Sequence, residues 1–235
     1  MLKIGALDLG AAVAIAVPFD DTPSGADVQA LRARGLDVVE LRVDSFASRD
    51  PAHALAELAK YEGIPTLATI RVPAEGGAWA GSEAERAKLF LALLPHVGAI
   101  DVELAAHEVL PELRAAAREA GRLVIASHHD FDGTPAPGAL ADLVARAQEA
   151  GADIVKIAAR VRSPDDLRTL AAALLAPARL GRIVIGMGDA GLATRVLFPA
   201  LGSLLTYAHV GRATAPGQLP LDELVGLLRR MGLRA

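Results

Sequence analysis

A lysine enclosed by β-branched residues is the first feature of this sequence that could do chemistry. Ala152-Asp153-Ile154-Val155-Lys156-Ile157-Ala158 reads as a buried strand, where an ammonium group is costly unless it is paired or uncharged. Two readings stay open. One is an ion pair with an inward carboxylate such as Glu103. The other is an amine whose pKa apolar walls and neighbouring arginines pull below the usual value of about 10.4, free to attack a carbonyl and form a Schiff base. A second apolar run ends in Ser127-His128-His129-Asp130-Phe131. Adjacent strand residues face opposite sides, so only one of the two histidines faces inward, and His129 shares the parity of Ser127. An imidazole titrates near neutrality and so both takes and returns a proton. Metal binding is the weaker reading: His53, His96, His107 and His209 fall on presumed helices, loops or another strand, and the chain has no cysteine.

Charges recur at other strand ends. In Val38-Val39-Glu40-Leu41-Arg42-Val43-Asp44 the period of two puts Glu40, Arg42 and Asp44 on one face, with Val39, Leu41 and Val43 on the other. Arg71 is followed by Val72-Pro73-Ala74-Glu75-Gly76-Gly77, and Asp101 and Glu103 share a face in Asp101-Val102-Glu103. A Glu40–Arg42 ion pair or a solvated Glu75 loop would explain single cases, but the pattern repeats on successive strands. Gly186-Met187-Gly188-Asp189-Ala190-Gly191 is a literal G-x-G-x-x-G. No Asp or Glu lies between Asp189 and Asp222 to hold a ribose, so a dinucleotide cofactor is disfavoured. The expectation is a glycine-rich turn that forms an anion site with Arg195. Thr214-Ala215-Pro216-Gly217-Gln218-Leu219-Pro220 reads as a closing loop with Gln218 as its ligand contact.

The elements that must position these groups follow from the pattern of apolar runs. Strands are expected at Ala12 to Val17, Val38 to Arg42, Thr66 to Ile70, Ala99 to Glu103, Leu123 to Ser127, Ile154 to Ile157, Ile183 to Met187 and Leu204 to Ala208. Helical patterns centre near Ala30, Leu58, Lys88, Leu113, Leu143, Leu170, Val196 and Leu224. Eight strand–helix units in 235 residues make an α/β (β/α)8 barrel, with its chemistry at the carboxyl ends of the strands; a doubly wound open sheet is the runner-up. No linker divides the chain, so residues 1–235 are expected to form one domain. Hydrophobic residues at 52% and charged residues at 22% exclude a disordered protein, and a net charge of −4 without a basic run gives no nucleic-acid footprint. The run Leu9 to Phe19 with Ala12-Val13-Ala14 mimics a secretion signal, but Asp8 and Pro18 bound it and it is too short to span a membrane. It reads as a first buried strand that ends at Pro18.

Taken together, Glu40-Leu41-Arg42-Val43-Asp44, Arg71 with Glu75-Gly76-Gly77, Asp101-Val102-Glu103, Ser127-His128-His129-Asp130-Phe131, Lys156-Ile157-Ala158, Arg195 and Ala215-Pro216-Gly217-Gln218 resemble the type I 3-dehydroquinate dehydratases, lyases of the shikimate pathway. The resemblance runs from the second strand to the final helix. It implies catalytic roles for Lys156, which forms an imine with the substrate ketone, for His129, which moves the protons, and for Glu75, which orients His129. It also implies substrate contacts from Glu40, Arg42, Arg71, Arg195, Thr214 and Gln218, with Arg195 on the carboxylate. Thr214 stands where the family usually has Ser and keeps the hydroxyl. No cofactor or metal is implied; the partner is the small molecule 3-dehydroquinate, with a homodimer as the candidate assembly and the cytoplasm as the expected compartment. A class I aldolase or transaldolase-like barrel and a non-catalytic metabolite sensor are the rival readings; the first lacks a specific use for His129 and Glu75, the second for Lys156.

Overall fold

In the computed structural model, which describes residues 1–22 and 27–234, eight parallel strands alternate with eight helices among the described residues. The strands are β1 (Ala14–Phe19), β2 (Val38–Arg42), β3 (Thr66–Thr69), β4 (Ala99–Glu103), β5 (Leu123–Asp130), β6 (Ile154–Arg160), β7 (Gly181–Met187) and β8 (Leu205–His209). The helices are α1 (Val28–Ala33), α2 (Pro51–Ala59), α3 (Glu83–Leu93), α4 (Leu110–Ala120), α5 (Pro137–Glu149), α6 (Pro164–Leu175), α7 (Thr194–Ala200) and α8 (Leu221–Arg230). The sheet order is β8-β1-β2-β3-β4-β5-β6-β7, with the short strand Leu219–Pro220 beside β8. Its two ends meet: Leu204 N donates to Arg182 O at 2.8 Å and Val184 N to Ser203 Oγ at 3.0 Å, which brings β7 to β8 and curls the sheet into an α/β barrel.

Side-chain parity divides each strand between two environments. Outward residues such as Val39, Leu41, Ile100, Val102, Val155 and Val184 pack on the helices. Inward residues near the amino ends, Ala14, Ala16, Val38, Leu67, Ala99, Ile125, Ile154, Ile183 and Leu205, fill the lower barrel. An antiparallel hairpin of Lys3–Ile4 and Leu7–Asp8 closes that end, with Ile4 completely buried against the inward residues. Apolar filling below leaves the charged inward residues to the upper end. Capping chemistry starts several helices: Ser82 and Glu85 form a capping box on α3, as do Ser163 and Asp166 on α6, and Asp50 with Pro51 opens α2.

The expected strand edges shift in places. β1 starts two residues later than Ala12 and runs through Pro18, which pairs in register with Glu40, so Pro18 does not end it. β5 extends to Asp130 and β6 to Arg160, because each finds a long parallel neighbour. No helix among the described residues is long and apolar enough to cross a membrane.

Candidate active site

Parallel register sets the depth of the site. Glu103 pairs with Ser127, and Ser127 with Lys156, so the carboxyl ends of β4, β5 and β6 bring a carboxylate, a hydroxyl and an amine to one level. Lys156 is 5% exposed. Its Nζ lies 2.8 Å from Asp101 Oδ2, 3.8 Å from Glu40 Oε1 and 4.5 Å from the centre of the Tyr207 ring. Burial pulls the lysine pKa down, but the charge of Asp101, helped by Tyr207 and Glu40, more than offsets it and leaves the amine above its ordinary value. This corrects the expectation of a depressed lysine: Arg71 still lowers the amine, but two carboxylates face it and outweigh both that charge and burial. Glu103, the partner expected for Lys156, is engaged elsewhere.

Arg71 explains where. Its guanidinium is 2.6 Å from Asp101, donates to Ser127 Oγ at 2.7 Å and lies 3.0 Å from Glu103. Arg86, reaching in from α3, bonds to the other oxygen of Glu103, to Ile70 O at 3.0 Å and to Glu83 at 2.7 Å. Burial pushes the Asp101 carboxyl up, yet the charges of Arg71 and Lys156 overcome it and hold it below the usual carboxylate range.

On β2, Glu40 accepts a hydrogen bond from Thr69 Oγ1 at 2.7 Å and is not paired with Arg42. Arg42 instead grips Asp44 with both arms, at 3.0 and 2.8 Å. Asp44 was expected to point into the barrel mouth. The chain turns into a short 3-10 segment at Val43–Ser45, and Asp44 accepts from Ala78 N of the loop after β3 at 3.1 Å and does not line the cavity.

His129 and Glu75 come together across the loop after β3. Glu75 Oε2 accepts from His129 N at 3.0 Å and lies 2.9 Å from His129 Nδ1. Burial, with the charges of Arg71 and Lys156, pulls the imidazole well below its ordinary range, so the ring is neutral near pH 7. Burial also raises Glu75 to about 7, against the charge of Arg71. His128 is half-buried and does not line the cavity.

Arg195, from the first turn of α7, is 2% exposed, and no carboxylate among the described residues pairs with it. Among the described residues its guanidinium makes one hydrogen bond, a long one to Pro216 O at 3.4 Å, and its Nε has no partner. Burial pulls its pKa down to about 10. A buried, unbalanced cation facing a cavity suits an anionic ligand group. The glycine turn beside it does not share that role. Gly186 N donates to Thr194 Oγ1, Gly188 N to Pro216 O and Gly191 N to Gly188 O, so these amides are spent within the protein. The glycines serve close approach: a Cβ on Gly191 would sit 2.5 Å from the Gly186 backbone, and one on Gly217 2.4 Å from Gly188 O.

The nine residues to which the resemblance gives roles, Glu40, Arg42, Arg71, Glu75, His129, Lys156, Arg195, Thr214 and Gln218, line one cavity at the carboxyl end of the barrel, and the inward charges Asp44, Asp101 and Glu103 do not. Gln218 Oε1 accepts from Thr214 N at 2.8 Å and Thr214 Oγ1 at 3.1 Å, which folds the closing loop on itself. Thr69, Phe131, Met187 and Tyr207 also line the cavity and were not singled out. Strand parity could have found Met187 and Tyr207; nothing local marks Arg86. Among the described residues no group of three or more His, Asp or Glu side chains could hold a metal ion. The arrangement offers an amine, a neutral base with its carboxylate, and a cation for an acid group.

The sequence and the fold have relatives that match nearly the whole length. The family model for type I 3-dehydroquinase matches residues 13–234. A 3-dehydroquinate dehydratase of Methanosarcina acetivorans is 36% identical over 242 residues, covering 98% of this chain and 100% of the relative. The solved 3-dehydroquinate dehydratase of Geobacillus kaustophilus superposes with a TM-score of 0.91 at 28% identity, covering 98% of this chain and 96% of that one. That of Aquifex aeolicus gives 0.83 at 34% identity, with 93% and 98% covered. With its family model matched across the barrel and relatives similar from end to end, this chain belongs to the type I 3-dehydroquinase family.

Proposed function

We propose that the chain is a hydro-lyase that converts 3-dehydroquinate to 3-dehydroshikimate, a step of the shikimate pathway, through an imine on Lys156. The observation that carries this reading is the buried Lys156 amine in one cavity with the His129–Glu75 pair. The amine adds to the C3 ketone and water leaves as the imine forms. A positive imine nitrogen draws electrons from C2, and neutral His129 removes a C2 proton. The C1 hydroxyl then departs with a proton from the His129 imidazolium, and hydrolysis of the imine frees product and lysine. Asp101 and Glu40, which keep the free amine protonated, hold it back as a nucleophile until its proton is passed to His129, which returns it to the carbinolamine hydroxyl as water leaves and is neutral again for the C2 proton. The same two carboxylates favour the protonated imine afterwards, when electron withdrawal is needed. Arg195 pairs with the substrate carboxylate, Glu40 and Arg42 hold ring hydroxyls, and Arg71, Thr214 and Gln218 complete the pocket.

Incubation with 3-dehydroquinate, followed by absorbance of the conjugated product and by intact mass after borohydride, tests the reading. Turnover and one adduct on Lys156 are expected, with both lost in Lys156→Ala. His129→Ala should still trap the adduct while turnover falls about 10²- to 10⁴-fold. No dehydration, or an adduct on Lys60 or Lys88, would overturn it.

A further inference from the structure

Behind Arg71, which lines the cavity, lie Glu103 and Arg86, which have no part in the chemistry above. They belong to a series that alternates in sign from the outside of the barrel to the amine: Glu83, Arg86, Glu103, Arg71, Asp101, Lys156 and Glu40, each joined to the next by a salt bridge. Six of these are buried, Arg71, Arg86 and Lys156 against Glu40, Asp101 and Glu103, so the buried part is neutral only when Arg86 is counted. Without Arg86, the Arg71 that Glu103 already shares with Asp101 would be its only cation in this series, which would then carry one uncompensated negative charge.

We propose that Arg86, which lines no part of the cavity, is a positioning residue that neutralises Glu103 and thereby sets the pH at which the Glu75–His129 pair becomes competent. The inference rests on the reading that Glu75 must be ionised to accept from the His129 ring. Glu75 faces Arg71 and Glu103 from β4 and the loop after β3, Asp101 from β4, and His129 from β5. Of these, Glu103 is the carboxylate whose charge most opposes the ionisation of Glu75, and Arg86 is the buried cation that bonds its second oxygen, the one Arg71 does not reach. Arg86 also donates to Ile70 O, so it joins the helix to the strand end that carries Arg71. A merely structural role would affect folding and leave the titration in place.

The experiment follows the acidic limb of kcat/KM against pH, and separately the ¹⁵N shifts of the His129 ring against pH in the free protein. Arg86→Met should move both titrations to higher pH, on the order of one unit for one unmasked nearby charge. Glu103→Gln, which is isosteric, should move them to lower pH, and the double variant should return them toward the unaltered protein. Arg86→Lys should leave them in place while lowering thermal stability. If Arg86→Met does not fold, the difference between Glu103→Gln and the double variant reads the same charge. Titrations that stay fixed in Glu103→Gln, or that coincide in it and the double variant, would overturn the proposal. A protein with no dehydratase activity whose His129 shifts still move with these substitutions would retain the charge coupling and refute the functional reading alone.

Discussion

At the scale of single residues, the site sets groups whose surroundings oppose their usual ionisation, Glu75 and His129, beside groups whose surroundings reinforce it, Lys156 and Asp101. Glu75 shows the cost most directly. Its pKa, near 4.5 in an open chain, rises to about 7 in the fold because burial disfavours the carboxylate. The folded protein therefore binds more protons than the unfolded chain between these values, and stability falls as pH rises through that window. Integrated over the interval, ionising Glu75 costs at most about 3 kcal/mol. Glu75→Gln keeps an oxygen to accept from His129 and removes the charge. The variant is expected to match the parent near pH 4.5 and to exceed it in stability at pH 7.5, while losing turnover. Urea denaturation at both pH values checks this, and equal stability at pH 7.5 would show that Glu75 is not strained. Asp101 is the contrary case, held below its usual range. It contributes stability above the ordinary aspartate range, which is lost only as pH falls through its depressed value.

At the scale of elements, the closing loop meets the glycine turn backbone to backbone. Gly188 N donates to Pro216 O, and Gly217 sits at a φ of 73° with its α-carbon turned toward Gly188 O. Alanine at 217 would meet that oxygen and adopt a left-handed conformation that costs about 1–2 kcal/mol. Gly217→Ala should displace the loop bearing Thr214 and Gln218 and raise KM on the order of tenfold. Because the loop lies on the surface, the thermal midpoint should change little. Steady-state kinetics beside a melting curve tests this, and an unchanged KM would separate the loop from substrate binding. The helix–strand units also account for charges that a local reading misplaces. The short turn after β2 draws Asp44 away from the mouth, and α3 delivers Arg86 to a strand it does not follow in sequence.

At the scale of the whole molecule, the barrel divides stability from chemistry along its axis. The lower half is apolar and closed by the amino-terminal hairpin; the upper half is charged and open. Ile4 is wholly buried at the closed end. Ile4→Ala removes most of that contact and should cost about 2–5 kcal/mol, with kcat unchanged. A lowered urea midpoint with unaltered turnover is the expected pair of results. A fall in kcat comparable with the stability loss would show that the two ends are coupled.

What the sequence determined by itself is the repeat and its parity. Alternation along each strand already assigns Lys156, Asp101, Glu103, Glu40 and His129 to the interior, because a period of two holds wherever a strand forms. The residue types at those positions carry the resemblance that the comparisons support. Parity does not say which inward charge meets which. The pairing of Lys156 with Asp101 and not Glu103, of Arg42 with Asp44 and not Glu40, and the burial of Arg86 depend on the stagger of strands around the barrel and the reach of helices from outside. The glycine turn is the same case at the backbone: G-x-G-x-x-G marks a place where chains approach closely, and only the fold shows that the approaching group is residues 216–217 of this protein. The amine's ionisation followed from those pairings. Apolar neighbours in sequence argued for a low lysine pKa, but the field at Nζ is set by carboxylates on β2 and β4, which lie far from it along the chain and a few ångströms away in space.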